Sequence, residues 1–452
     1  MRMFRVARYW LLGLAILLAA ASLALLPACE DEEEEGTATP AASPEVTPGE
    51  TPGVTPTVGG PLKIGLLGPL TGPLAPFGPD YVNTANLAIG HINAAGGVLG
   101  QDVELVVGDT GTAPEQGVAE ARRLVDIAGV HAIVGAAASG VTLPVAESVT
   151  IPNKILQISM ASTSPALTDV EDDDYLFRTP ISDAAQGVVL ADLVEELGFT
   201  SVCTMYVNNA YGQGLSENFA AAYTGEVTAQ VSHTAETATT YASELSQCVE
   251  GGPEALLALS YPTGQADVYL KEAVEGAIID QFVFCDGTKS GEMFAKLGWD
   301  SFDGMKGTAP GALETQFGST FDDAFEAKYG YLYQTPFNRE TYDGVILIAL
   351  AAEKAGSTDP TAIRDALRDI ANTPGELAGP GEEGVADALA AVQAGTDIDY
   401  QGAAGSIEFD ENGDILVGAI EIWRVDAASE TLVTERRVQV DLITGVLTPI
   451  ED

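Results

Sequence analysis

Between Ile133 and Pro165 the chain reads IVGAAASGVTLPVAESVTIPNKILQISMASTSP: a buried strand, a small-residue turn, a helix, a second buried strand and a second small-residue turn. Two apolar strands joined through a helix read as a parallel βαβ unit. Each turn follows a strand directly. Ala136-Ala137-Ala138-Ser139-Gly140 and Met160-Ala161-Ser162-Thr163-Ser164 are therefore expected at the carboxyl ends of neighbouring parallel strands, the edge at which open α/β sheets bind ligands. Side chains this small leave backbone N–H groups open to an anion, and the helix expected from near Val141 adds its positive end. Ser139 and Thr163 contribute hydroxyls that turn to suit a partner, so the pair of turns suits a carboxylate.

The same rhythm runs through the chain. Leu62 to Leu67 reads as a buried strand, followed by a Gly/Pro-rich loop over residues 68–78 and a helix from Tyr81 to Asn93 with Val82, Ala85, Ile89 and Ile92 on one face. Gly96, Gly97 and Gly100 lack the spacing of a nucleotide loop and read as a helix stop. A strand at Val103–Val107 and a helix opened by Pro114 lead to the stretch above. Tyr175–Pro180 reads as a crossing to a second lobe, where strands at 202–207, 227–231, 255–259 and 279–285 alternate with helices at 183–197, 214–223, 241–249 and 264–275. Residues 304–310 read as the return crossing, and helices at 317–329, 336–355 and 360–370 complete the first lobe. A third crossing is expected at 402–409, with edge strands at 415–423 and 431–438. The fold class expected is α/β: two doubly wound, Rossmann-like lobes, each with a parallel central sheet, joined by a three-segment hinge.

The 452-residue chain is too long for one core and suggests at least two lobes. Its 66 acidic and 20 basic residues give a formal charge of −46, which argues against nucleic acid and against docking on anionic lipid, and suits solubility in a salty medium. Arg2, Arg5 and Arg8 precede an apolar run from Trp10 to Leu26, the pattern of a secretion signal. The run of about 17 residues is also at the lower limit for an uncleaved anchor. Both alternatives place the remainder outside the cytoplasm. The segment after Cys29, acidic from Asp31 to Glu35 and then punctuated by Pro40, Pro44, Pro48, Pro52 and Pro56, reads as a disordered tether.

Cys203, Cys248 and Cys285 imply one disulfide and one leftover thiol in an oxidising compartment. Cys203 with Cys248 is the expected pair, because Cys285 reads as the end of a buried strand. The cysteines are distant in sequence and His91, His131 and His233 are isolated, so neither metal nor cofactor is expected. Ser139 lacks the G-x-S-x-G setting of a hydrolase nucleophile and no histidine has the context of a base, which sets catalysis aside.

Five local signatures occur in order: Lys63-Ile64-Gly65 through Gly68-Pro69-Leu70-Thr71-Gly72; residues 92–100, INAAGGVLG; Phe177-Arg178-Thr179; Tyr211-Gly212-Gln213-Gly214; and Phe409-Asp410-Glu411-Asn412-Gly413-Asp414. From Leu62 onward the chain resembles the substrate-binding proteins of branched-chain amino-acid ABC transporters, the leucine/isoleucine/valine type, with the type I periplasmic binding protein fold. Leu26-Pro27-Ala28-Cys29 similarly resembles a bacterial lipobox, in which Cys29 is lipidated, although Pro27 departs from the usual small residue.

The resemblance implies a ligand held between two closing lobes. Ser139 then stands where the family places a hydroxyl on the ligand carboxylate, and Ala161 and Thr163 where carboxylate and ammonium are bound. Ser162 makes that turn more polar. Tyr211 covers the ligand from the second lobe, Asp286 pairs with its ammonium, and Phe77 and Tyr261 border it. The expected organisation is a signal peptide over 1–28, a lipidated tether over 29–60, a first lobe of 61–178 plus 310–402, and a second lobe of 179–309 plus 403–452. The implied molecule is a monomeric, non-enzymatic receptor that hands an amino acid to an ABC permease. Lys289 near the expected pocket mouth and Ser162 leave open a polar amino acid, an amide or a small carboxylate as ligand. A sensor of the same fold is the alternative to transport.

Overall fold

The computed structural model describes residues 59–450, so the expected signal segment, Cys29 and most of the tether lie outside the described residues. Among the described residues no helix is long and apolar enough to cross a membrane.

The first sheet contains β1 (Lys63–Gly68), β2 (Glu104–Asp109), β3 (Ala132–Gly135), β4 (Leu156–Ser159) and β5 (Leu176–Arg178), in the order β2-β1-β3-β4-β5. All its pairings are parallel. The sequence alternation follows from burial: β3 and β4 are buried at every position, as strands covered on both faces must be. The Asn338–Ala355 helix packs over β3 with Gly344 facing Val134, and 14 of its 18 residues are buried. That many buried positions leave almost no polar face, because further helices cover its other sides.

The second lobe contains β6 (Ser201–Val207), β7 (Glu226–His233), β8 (Ala255–Leu259), β9 (Phe282–Phe284) and β10 (Lys306–Gly311). Its parallel part runs β7-β6-β8-β9-β10, the same relative order as the first sheet. In each lobe the order reverses beside the first strand, and ligands of open sheets bind at that switch point. Cys203 on β6 and Cys248 on the Ala242–Val249 helix form a disulfide with Cα atoms 5.6 Å apart. Cys285 is a free, buried thiol.

Three differences from the sequence reading concern the later chain. Residues 306–310 form a strand rather than a crossing, because Pro310 sits where β10 runs antiparallel to a later strand; the return to the first lobe follows Gly311. The returning segment contains a short parallel pair, β11 (Glu376–Ala378) and β12 (Ile398–Tyr400), and a helix at Gly381–Gln393. The reading missed them, since the helix is mostly Gly, Ala and Glu with a thin apolar stripe.

The third crossing, expected at 402–409, comes later. Asp343 of the first lobe accepts the N–H groups of Ala403 (2.8 Å) and Ala404 (2.9 Å), and Asn372 is bonded to both backbone groups of Phe409. These bonds hold the segment to the first lobe until it enters β13 (Val417–Asp426). β14 (Thr431–Asp441) and β15 (Val446–Ile450) follow antiparallel, so β13 lies inside the sheet between β10 and β14, and β15 forms the edge. β15 is short and contains Pro449, both suited to an edge and both hiding it from a strand search.

Arg178 ends β5 and forms a buried ion pair with Asp414, Nε to Oδ1 and Nη2 to Oδ2 each at 2.7 Å. Two crossings are thereby joined by a buried ion pair, of which the Nη2–Oδ2 contact is also a hydrogen bond.

Candidate functional site

The loop after β1 is fixed before it reaches the cleft. The Asp109 carboxylate accepts the N–H groups of Leu70 (3.0 Å), Thr71 (3.1 Å) and Gly111 (2.9 Å) and the Thr71 hydroxyl (2.7 Å). Gly72 has φ +84°, and a Cβ there would lie 2.0 Å from the Gly111 carbonyl oxygen, so only glycine closes this turn. The loop then carries Leu74 and Phe77 to the carboxyl edge of the first sheet and runs into the Gly78–Ala94 helix, which brings Tyr81.

The carboxyl edges of the two sheets face one another. A cavity of about 20 Å³ lies between them, lined by Leu74, Phe77, Tyr81, Ala137, Ala138, Ser139, Ala161 and Phe337 of the first lobe and Tyr211, Tyr261, Asp286 and Gly287 of the second. The rims already touch: the Thr263 N–H donates to the Pro73 carbonyl (3.1 Å) and the Ser164 hydroxyl to the Ala210 carbonyl (2.8 Å). Gly140 abuts Asn209, and a Cβ on it would meet the Asn209 Cβ at 3.0 Å. The cleft is closed.

On the first-lobe side Ser139 begins the Ser139–Val145 helix, so its N–H is among the first-turn donors with no intrahelical acceptor. Its hydroxyl accepts the Ser164 N–H (3.3 Å), linking the two small-residue turns. Ala161 borders the cavity. Ser162 does not: its hydroxyl is 2.7 Å from that of Thr142 and reaches the Ala137 carbonyl (3.2 Å), so it braces the turns from behind. Thr163 also stands outside the lining, beside Asp183, whose N–H donates to the Thr163 carbonyl (2.7 Å).

On the second-lobe side Asp286 follows β9 and is buried. Its Oδ1 accepts the Tyr211 hydroxyl (2.7 Å) and the Gln186 amide (2.8 Å). The Tyr211 hydroxyl in turn accepts the Gly287 N–H (3.2 Å), and its ring stacks on Tyr261, centroids 5.6 Å apart and 8° from parallel. Asn209, the N-cap of the Ala210–Ala222 helix, donates to the Tyr261 hydroxyl (3.0 Å). The structure thus gathers Ser139, Ala161, Phe77, Tyr211, Tyr261 and Asp286 around one cavity. Lys289 is turned away and pairs with Glu421.

Burial pushes the Asp286 carboxyl up to about 6, against the Tyr211 and Gln186 hydrogen bonds that favour its charged form. Asp183 is pushed well above the usual carboxylate range by burial and then by the Asp286 charge. Two buried carboxyls that influence one another resist double ionisation, and of the two only Asp286 borders the cavity.

Sequence reasoning missed Asp183, Gln186, Leu74, Tyr81 and Phe337. Asp183 lies just past the Ser182 N-cap, where an acidic residue ordinarily serves its own helix. Phe337 has φ +66°, a left-handed conformation uncommon for such a residue, and nothing in its neighbours signals it. No histidine borders the cavity: His91 meets Tyr342, His233 meets Ser260, and His131 accepts the Lys63 N–H. Among the described residues no three His, Cys, Asp or Glu side chains are grouped to hold a metal ion.

Known proteins are similar to this chain. A leucine-, isoleucine-, valine-, threonine-, and alanine-binding protein of Pseudomonas aeruginosa is 29% identical over 372 residues, 78% of this chain and 87% of its own length. A chemotactic signal transduction system substrate-binding protein of Halobacterium salinarum is 25% identical over 382 residues, 82% of this chain and 89% of its own. The crystal structure of a leucine binding protein from Thermotoga maritima superposes with a TM-score of 0.69 at 24% identity, covering 83% of this chain and 98% of that one, and so shows the same fold. The family profile described as periplasmic binding protein matches residues 61–413, most of the chain, and with the two matching lobes and the cleft between them it makes this chain a member of the periplasmic binding protein family, extracytoplasmic receptors for small solutes.

Proposed function

We propose that the protein binds an α-amino acid, or a solute with the same head group, in the cavity between its lobes and delivers it to an ABC permease without transforming it. The observation that carries this is the polarity of the closed cleft. The Asp286 carboxyl lies on one side, and the Ser139 hydroxyl and first-turn amide with Ala161 lie on the other. A zwitterion satisfies both sides only when they meet, so its binding free energy favours closure. Tyr211 and Tyr261 cover the ligand; Phe77 supplies an apolar wall; Thr163 acts from behind, through Asp183. In this reading the receptor is monomeric, its lobes exchange at the crossings near Thr179, Ala312 and Leu416, and Cys29 tethers it by lipid to the outer face of the membrane. The kinship with the amino-acid-binding protein of Pseudomonas aeruginosa supports the head group chosen.

A calorimetric panel of amino acids, amides and small carboxylates with the full chain tests the reading. Ser139→Ala and Asp286→Ala should each weaken the tightest binder at least about tenfold, the effect of losing one hydrogen bond to a charged group. Unchanged affinity in both would remove the site assignment. A second reading, occupancy sensing, draws on the likeness to the chemotactic receptor of Halobacterium salinarum. Ligand-dependent capture of a signalling protein rather than a permease would favour it.

A further inference from the structure

The cleft has a closed apolar wall with a larger space behind it. A second cavity of about 340 Å³ lies between the lobes, and Phe337 is the one residue that lines both spaces. Phe337 holds a left-handed backbone conformation, and Asn338 begins the long buried helix directly after it. Strained positions of this kind persist where the surroundings fix them and cluster at ligand clamps. Next to it in the wall stands Tyr81, fully buried, whose hydroxyl has no hydrogen-bond partner. A buried hydroxyl without a partner is costly, and burial first, then the Glu340 and Asp286 charges, oppose its ionisation.

We propose that the solute is an α-amino acid with a long, neutral, hydrogen-bonding side chain, ending in an amide or ureido group, which passes Tyr81 and a displaced Phe337 ring into the second cavity. This rests on the cleft being an amino-acid site and names the class of side chain it takes. The small cavity holds no more than a head group, whereas the large one falls within the size range of small-molecule sites.

The tail is assigned as neutral because the charges around the large cavity are already answered. Lys289 pairs with Glu421, Arg339 with Asp322, and Arg437 with Glu314. Glu340, pushed up to about 8 by burial, is uncharged at neutral pH. A charged tail would enter without a counter-ion, and a purely apolar tail would strip water from these groups without replacing its hydrogen bonds. The Tyr81 hydroxyl is the donor or acceptor that meets the side chain as it passes.

The experiment is calorimetric titration of the full chain with alanine, leucine, lysine, glutamine and citrulline, repeated with Leu332→Trp and Phe337→Ala. Leu332 lines the large cavity and is 47% exposed, so a tryptophan there narrows the space without entering the core. The expected result is that glutamine or citrulline binds at least about tenfold tighter than alanine, leucine and lysine, and that Leu332→Trp weakens that ligand about tenfold while leaving alanine within about twofold. Phe337→Ala should raise the preference for the long ligand over alanine above that of the parent; if that variant does not fold, Leu332→Trp decides. Alanine, leucine or lysine binding as tightly as the long neutral ligands, or Leu332→Trp shifting all ligands alike or none, would overturn the proposal while leaving the amino-acid site standing. Binding of no amino acid at all would instead remove the site itself, and this inference with it.

Discussion

Raising the pH from 5 to 7 should tighten amino-acid binding about tenfold, and the Asp286 carboxyl should be the cause. With its pKa at about 6, the carboxylate fraction is about 0.09 at pH 5 and about 0.9 at pH 7. An ammonium gains its counter-charge only from the ionised form, so the affinity follows that fraction, a change of about 1.4 kcal/mol. The ligand remains a zwitterion throughout the interval. The sign is opposite for the empty protein: a carboxyl raised on folding contributes stability that is complete below its unfolded pKa and is lost as the pH rises through about 6. Ligand should therefore raise the melting temperature most where the free protein is weakened. Among other groups, His233 is pushed down to about 4 by burial and stays neutral. Asp343 also titrates near 6, but it faces the Gly402–Ala404 loop rather than the cleft. Calorimetry at half-unit pH steps, on the parent and on Asp286→Asn, separates them. A flat profile in the parent, or the same slope in the variant, would refute the assignment.

Gly287→Ala should cost about 1–3 kcal/mol of stability, since the new Cβ would lie 2.5 Å from the Ser260 carbonyl oxygen and 2.9 Å from the Tyr211 hydroxyl. It should also move the midpoint of the binding profile to higher pH, because Tyr211 is the first group that holds Asp286 down; chemical denaturation and the pH titration check the two effects. Arg178→Met should destabilise the fold by about 3–5 kcal/mol in urea by leaving Asp414 buried without its counter-ion, and a loss below 1 kcal/mol would show that the pair contributes little. Replacing both Cys203 and Cys248 by Ala opens a loop with a sequence separation of 45 residues and should lower stability by about 4 kcal/mol in the chain-entropy account, with ligand affinity unchanged because neither residue borders the cleft.

How far the sequence could be read depended on how local each cause was. β3, β4 and their small-residue turns were legible because burial on both faces and the need for access leave a local pattern. Asp286 and Tyr211 came from the resemblance to the family, and both border the cavity. Ser162 was misread because its neighbours could not show which of three adjacent hydroxyls would brace the turns from behind. Phe337 and Tyr81 were invisible for another reason: both border the cleft only because distant segments fold against them, and no local spacing marks it. The third crossing slipped for the same cause, its true place being set by bonds from Asp343 and Asn372, dozens of residues away.

Much of what joins the two rims is main chain: the Pro73 carbonyl, the Thr263 amide and the Ala210 carbonyl. Short of a proline at residue 263, side-chain substitution cannot delete these atoms, and none of them lines the cavity that would read the solute. Solute preference can therefore drift through the residues inside while the outer contour of the shut form stays constant. Under the proposed delivery role, a partner that recognised that contour would not need rebuilding when the solute changed.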